Sequence, residues 1–335
     1  MSILNHCPYC ADQVEGPRES GDHLFPRFLG GKQTINACRT CNSRFGHTFE
    51  AGSAKFLKAF HVFIGTCGVR MKSASQVWRS SFEYDGKLFD LKATEEGTKT
   101  RLSRPKIKRD EKGKVVLAEF PEDDTKSGEH FVKSLAERGI TSKPTQVVRS
   151  KVNFKGVSLK VNIGSNEKCL ALKMCMALST MLPGFITEEV SQARSLLFSD
   201  PTFDVREAYI TYQPINSRRP GLSHTIYVER NSFCVYGVVQ FFGAIQLYCP
   251  LGVPQNKAPA AGLLASLDPV TGDENINQVP PQYLPAPPTL LQTDQLPTLI
   301  RIWLEKLERE AVERGGKNPG LILSNVTPRV DQSSI

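Results

Sequence analysis

Residues 6–50, "HCPYCADQVEGPRESGDHLFPRFLGGKQTINACRTCNSRFGHTFE", decide how this chain is read. Two Cys-x-x-Cys pairs, Cys7/Cys10 and Cys38/Cys41, are separated by 27 residues. Each pair puts two thiolates on one tight turn, and two such turns complete a tetrahedral four-thiolate site for a structural zinc ion. The metal would hold together a segment too short to build its own core. Spacing alone implies no chemistry beyond that clip.

The residues between the pairs add more. Asp22-His23 precedes two apolar residues, then Pro26, then Gly30-Gly31, then Asn36, and Asn42 directly follows Cys41. Each has a bland reading: a lone His is most often a satisfied structural residue, and Asn36 and Asn42 suit turns or a helix cap. Gly30-Gly31 reads as a turn.

The rest of the chain sets bounds. At 335 residues it holds two domains, or one large domain with an appendage. Hydrophobic content of 40% and charged content of 23% fit a soluble globular protein. No apolar run is long enough for a membrane span, and no basic start followed by an apolar block marks a secretory signal. The expected location is therefore the cytoplasm, with no membrane partner. In a reducing compartment nine cysteines read as metal ligands and buried thiols rather than disulfides. Cys67, Cys169, Cys175, Cys234 and Cys249 are expected in the core.

The net charge of +8 is uneven: residues 61–164 carry 21 basic and 13 acidic side chains, whereas 165–335 carry 14 and 16. The excess includes Lys106, Lys108 and Arg109, in a basic segment over 99–109. Such a segment suits a polyanion such as nucleic acid, or equally a hairpin with solvated lysines. Arg27, Lys32, Arg39 and Arg44 are further candidates for phosphate contact, with the same alternative.

Pattern along the chain predicts a helix from the second Cys pair through "NSRFGHTFEAGSAKFLKAF". Strands joined by Asp85-Gly86 follow, then a Gly-turn hairpin over "RDEKGKVVLAEF" and a short helix ending at Gly139. "SNEKCLALKMCMALSTML" reads as a helix buried all round, and "TEEVSQARSLLF" as a helix capped by Thr187. "HTIYVER" and "FCVYGVVQFFGAIQLYC" read as central antiparallel strands, with Gly237 and Gly243 at bulges, bends or close-packing points. Ten of the 22 prolines fall between Pro250 and Pro297, which predicts a linker or arm over 251–297. An amphipathic helix over 298–316 and a tail over 317–335 complete the expectation, with 1–60 as the metal module and 61–250 as an α+β domain.

The order CxxC, Asp-His-x-x-Pro-x-x-Leu-Gly-Gly, Asn, CxxC-Asn over about residues 5–52 resembles the zinc-stapled branch of the HNH endonuclease family. The resemblance implies an N-terminal ββα-metal module; the hairpin-connected strand signals after it predict a larger mixed domain with an antiparallel sheet and helices, an α+β chain as a whole. By position, His23 would be the general base, Asp22 and Asn42 ligands of a catalytic Mg²⁺ or Mn²⁺, and Asn36 a support for the loop bearing the base. Many relatives carry His after the last Cys, where this chain has Asn42. The implied activity is metal-dependent hydrolysis of nucleic acid, double-stranded DNA first, with bacterial defence or restriction as a setting. A homo-oligomer or an activating protein partner fits the Pro-rich arm and last helix. The competing reading is a non-catalytic zinc module that binds nucleic acid or protein; it needs the four cysteines but not Asp22, His23 or Asn42.

Overall fold

A computed structural model describes residues 6–14, 20–66, 69, 71, 77–84, 87–94, 97–102, 106–120, 125–139, 164–199, 211–212, 222–243, 245–255, 258–281, 305, 309–310 and 312–315. The first element is a ββα unit. Strand β1 (Asp22–His23) pairs antiparallel with β2 (Thr34–Ile35), matching Asp22 to Ile35 and His23 to Thr34. Helix α1 (Arg39–Phe45) passes through a π-helical turn (Gly46–Glu50) into α2 (Ala51–Thr66). The helix expected from the second Cys pair is therefore present, widened in its middle. Such π turns shift side chains around the axis and gather at functional sites.

Hairpin-connected strands follow: β3 (Val77–Tyr84), β4 (Lys87–Thr94) and β5 (Gly97–Leu102) form one antiparallel sheet. Strands β6 (Lys106–Arg109) and β7 (Val115–Glu119) form a separate two-stranded ladder. Its turn is closed by Asp110, whose carboxylate accepts from the amides of Lys112 and Lys114. Helix α3 (Thr125–Glu137) ends at Gly139, whose φ of 72° is the left-handed stop the sequence predicts.

Helix α4 (Ser165–Ser179) is the centre of the molecule. It packs against the π turn and α2 on one side and the large sheet on the other. Every residue from Glu167 to Ser179 is buried, which is why the helix shows almost no polar stripe. A short 3₁₀ turn (Thr187–Val190) leads into α5 (Ser191–Phe198). Thr187 makes no side-chain cap there; it opens the 3₁₀ turn instead of the helix.

The large sheet runs in the order β13-β12-β9-β10-β11-β8, antiparallel throughout. Its strands are β8 (Thr211–Tyr212), β9 (His224–Arg230), β10 (Val235–Phe241), β11 (Ile245–Gly252), β12 (Ala261–Leu267) and β13 (Glu274–Val279). One face carries Ile226, Val228, Val239, Leu247 and Leu263 into the main core; the other buries Tyr227, Tyr236 and Tyr248. Burial on both faces explains the near-continuous apolar runs of β9 and β10. Gly237 is a close-packing point, since a Cβ there would lie 2.3 Å from Cys175 Sγ on α4.

The stretch 251–297 departs from its expected linker character. Ala261–Leu267 and Glu274–Val279 are strands β12 and β13, and Pro259 and Pro269 bracket β12 rather than interrupt it. The proline count hid an uninterrupted strand-length run between them. Residues 282–297 lie outside the described residues, as do most of 298–316 and the tail 317–335. One hydrophobic cluster reaches from Cys7 through α4 to Leu267, so the N-terminal unit and the sheet share a core. Among the described residues, no helix is long and apolar enough to cross a membrane.

Candidate active site

The four cysteines converge. The Sγ atoms of Cys7, Cys10, Cys38 and Cys41 all lie within 4.8 Å of one another, and Cys10 and Cys38 are 3.7 Å apart. Thiolates arranged tetrahedrally at about 2.3 Å from an ion sit roughly 3.8 Å apart, so the group is dimensioned for a metal. The first knuckle is held by Cys7 N–H donating to Asp12 O and Ala11 N–H to Cys7 O, with Ala11 at a φ of 67°. In the second, Cys38 caps α1 and its sulfur accepts the Cys41 amide at 3.4 Å. The thiols share their protons unevenly. A hydrogen bond from Cys41 lowers Cys7 to about 5, and that same bond pushes Cys41 up. Burial raises Cys10 to about 12.

The clip is packed into the protein. The Tyr9 ring meets Phe45 edge-on at 5.1 Å, Phe45 meets Phe198 of α5 at 5.6 Å, and Arg194 Nε donates to Tyr9 O at 2.8 Å.

Asp22 and His23 stand side by side on β1, so their side chains leave the strand on opposite faces. Asp22 turns inward and is buried. Its Oδ1 accepts from the His23 amide at 2.8 Å and from Lys173 Nζ at 2.7 Å; its Oδ2 accepts from Tyr9 Oη at 2.9 Å. His23 is half-buried, and its Nε2 accepts from Arg27 Nε at 3.1 Å. Burial, reinforced by the Arg27 charge, lowers its pKa and favours the neutral ring. A neutral imidazole is the form that takes up a proton.

Asn42, in the first turns of α1, donates from Nδ2 to Ser20 O at 2.9 Å. That bond ties the helix to the segment entering β1 through the amide nitrogen and does not use the amide oxygen. Asn36 lies half-buried between β2 and Cys38. The β1–β2 loop is fixed by its glycines: Gly30 takes a φ of 107°, and a Cβ on Gly31 would lie 1.6 Å from Phe25 O.

The basic candidates divide. Arg27, Arg39 and Arg44 are exposed around the unit, Arg44 stacking on Phe198 at 4.9 Å. Lys32 is committed to the turn between β12 and β13, its Nζ donating to Gly272 O at 2.7 Å. Lys106, Lys108 and Arg109 lie on the β6–β7 ladder, Arg109 donating to Gly113 O at 2.9 Å.

Residues 7–58 match the family model of the HNH endonucleases. No curated protein and no solved structure matches the chain. The HNH segment is thus an N-terminal part of the protein, with the larger sheet domain after it.

Three residues gathered around Asp22 are not singled out by the sequence pattern: Tyr9, Glu50 and Lys173. Lys173, 1% exposed on α4, bridges Asp22 and Glu50, the latter on the π turn. A signal for it was present, since a lysine inside an all-round apolar helix must find a buried anion. Two carboxylates converging on one ammonium also mark the place as built for positive charge.

Proposed function

We propose that the protein is a metal-dependent HNH endonuclease that hydrolyses phosphodiester bonds in nucleic acid, with double-stranded DNA as first substrate. The observation that carries it is Asp22-His23 on a strand fastened, through Asn42 and Ser20, to a helix clipped by four cysteines. Zinc suits the four-thiolate site and would be structural. Asp22 and the Asn42 amide oxygen are hard oxygen donors that would hold Mg²⁺ or Mn²⁺, an ion that stabilises negative charge on the scissile phosphate. His23, kept neutral, would accept the proton of the attacking water on Nε2 once the exposed Arg27 leaves that nitrogen for a phosphate. Asn36 would steady the loop that bears it. The products would be a 5′-phosphate and a 3′-hydroxyl.

Arg27, Arg39, Arg44 and the Lys106–Lys108–Arg109 ladder would contact phosphates, an action without sequence preference. A cytoplasmic role in bacterial defence, and assembly with further copies or an activating partner, accord with a nuclease carrying a large second domain. The rival reading, a non-catalytic zinc module gripping nucleic acid, draws on the Lys173–Asp22 contact, which fills the carboxylate a catalytic ion would use.

The deciding experiment incubates the protein with plasmid DNA and Mg²⁺ or Mn²⁺ beside His23→Ala. Cleavage lost in the variant supports the proposal. Cleavage surviving His23→Ala removes His23 as base, and DNA binding without cleavage by either protein supports the zinc module.

A further inference from the structure

We propose that Lys173 is a tethered cation: it positions the Asp22 carboxylate, and a divalent ion must compete with it for that carboxylate. The inference rests on reading Asp22 as a metal ligand.

The geometry is specific. Lys173 Nζ lies 2.7 Å from Asp22 Oδ1 and also donates to Glu50 Oε1. The Tyr9 ring lies 5.7 Å from the ammonium, and Tyr9 Oη holds the other oxygen of Asp22. Asp22 is thereby fixed by Lys173, Tyr9 and the His23 amide before any ion arrives. Both carboxylates belong to the HNH segment, whereas the ammonium comes from α4, which packs on β9, β10 and β11. The sheet domain therefore supplies the charge that completes the nuclease site.

Charge accounting gives the direction of the effect. Asp22, Glu50 and Lys173 together carry one net negative charge. Without the ammonium, the buried Asp22 carboxylate and the partly buried Glu50 carboxylate would lie near each other unneutralised, a costly arrangement for the metal-free fold. It is also the arrangement that attracts a hard divalent ion most strongly. An ammonium on Asp22 Oδ1 and a divalent ion on the same carboxylate repel each other across a poorly screened interior. Lys173 thus preserves the site when empty and weakens its hold on metal. A plain strut between α4 and the HNH segment would do the reverse, because removing it would loosen the site and lower metal affinity.

The test titrates the full-length, zinc-loaded chain with Mn²⁺ by calorimetry, comparing the unsubstituted protein with Lys173→Gln, whose amide still donates to Asp22. Lys173→Gln is expected to bind Mn²⁺ about tenfold tighter or more. Its melting temperature should also rise further on Mn²⁺ addition than that of the parent. Should Lys173→Gln not fold, amine acylation of the unsubstituted protein followed by mass spectrometry serves instead, and labelling of Lys173 is expected to rise with Mn²⁺. Unchanged or weaker Mn²⁺ affinity in Lys173→Gln, or labelling indifferent to Mn²⁺, would overturn the proposal and leave a strut. Mn²⁺ binding and DNA cleavage both unaffected by Asp22→Asn would instead remove Asp22 as a ligand, and this inference with it.

Discussion

Glu274, on edge strand β13, accepts from the backbone amides of Lys32 and Gln33 through a single oxygen, at 2.8 and 2.9 Å. The loop that joins the two HNH strands is therefore held by a carboxylate 242 positions away in the chain. Two charge-assisted bonds to one backbone turn are worth a few kcal/mol together. They act on loop position more than on the core.

Glu274→Ala is accordingly expected to lower the proposed nuclease activity and to lower the melting temperature by a few degrees. The turn would still be shaped by Gly30 and Gly31, but would lose its anchor. Hydrogen exchange at Lys32 and Gln33 reads the loss directly. Exchange as slow as in the parent would show that the anchor is dispensable.

Cys38→Ser removes one thiolate and the sulfur that accepts the Cys41 amide. Structural zinc in small four-ligand sites contributes on the order of 10 kcal/mol, so losing a ligand should release the metal and unfold the clip. Because Tyr9, Phe45 and Phe198 form one aromatic chain, the damage should spread to α5. Metal content by atomic emission and a thermal melt check this. A full zinc equivalent in Cys38→Ser would refute the four-thiolate site.

Gly237→Ala tests the packing of α4 on the sheet. The added Cβ would meet Cys175 Sγ at 2.3 Å and Cys175 Cβ at 2.7 Å, with the Tyr227 carbonyl at 3.3 Å. Overpacking of this kind costs about 1–3 kcal/mol. The double variant Gly237→Ala with Cys175→Ala should recover part of it, because the smaller side chain vacates the space. Additive losses in denaturant melts would show that the two residues do not meet.

Much of this architecture is legible in the sequence because its causes are local. The cysteine spacing announces the metal clip, and the β-branched and aromatic runs of 224–230 and 235–249 announce buried strands. Strands β12 and β13 were obscured because prolines mark the ends of strands as often as they exclude them, and composition cannot distinguish the two. Lys173, Glu50 and Asp22 are separated by 123 and 151 positions, so no window contains their meeting. What the sequence offers there is only an anomaly, a lysine where the helix has no polar face.

The same core holds two histidines that set a pH limit on the fold. His61 on α2 and His224 on β9 lie 6.5 Å apart, packed around Phe242, and both ring nitrogens of His61 and Nε2 of His224 are buried with no hydrogen-bond partner among the described residues. Burial drives His61 down to about 3, helped by the Lys58 charge, and burial drives His224 well below its usual value. Both are neutral in the fold, whereas in the unfolded chain they protonate near pH 6.5. Between about pH 6.5 and 3 the unfolded state binds the extra protons, so stability falls as the pH drops through that window. Each histidine contributes a slope of up to roughly 1.4 kcal/mol per pH unit. His61→Leu should therefore leave stability near pH 7.5 little changed and make the protein more stable than its parent at pH 5. Chemical denaturation at the two pH values measures the difference, and equal losses at both would mean that His61 is charged or hydrogen-bonded in the folded protein.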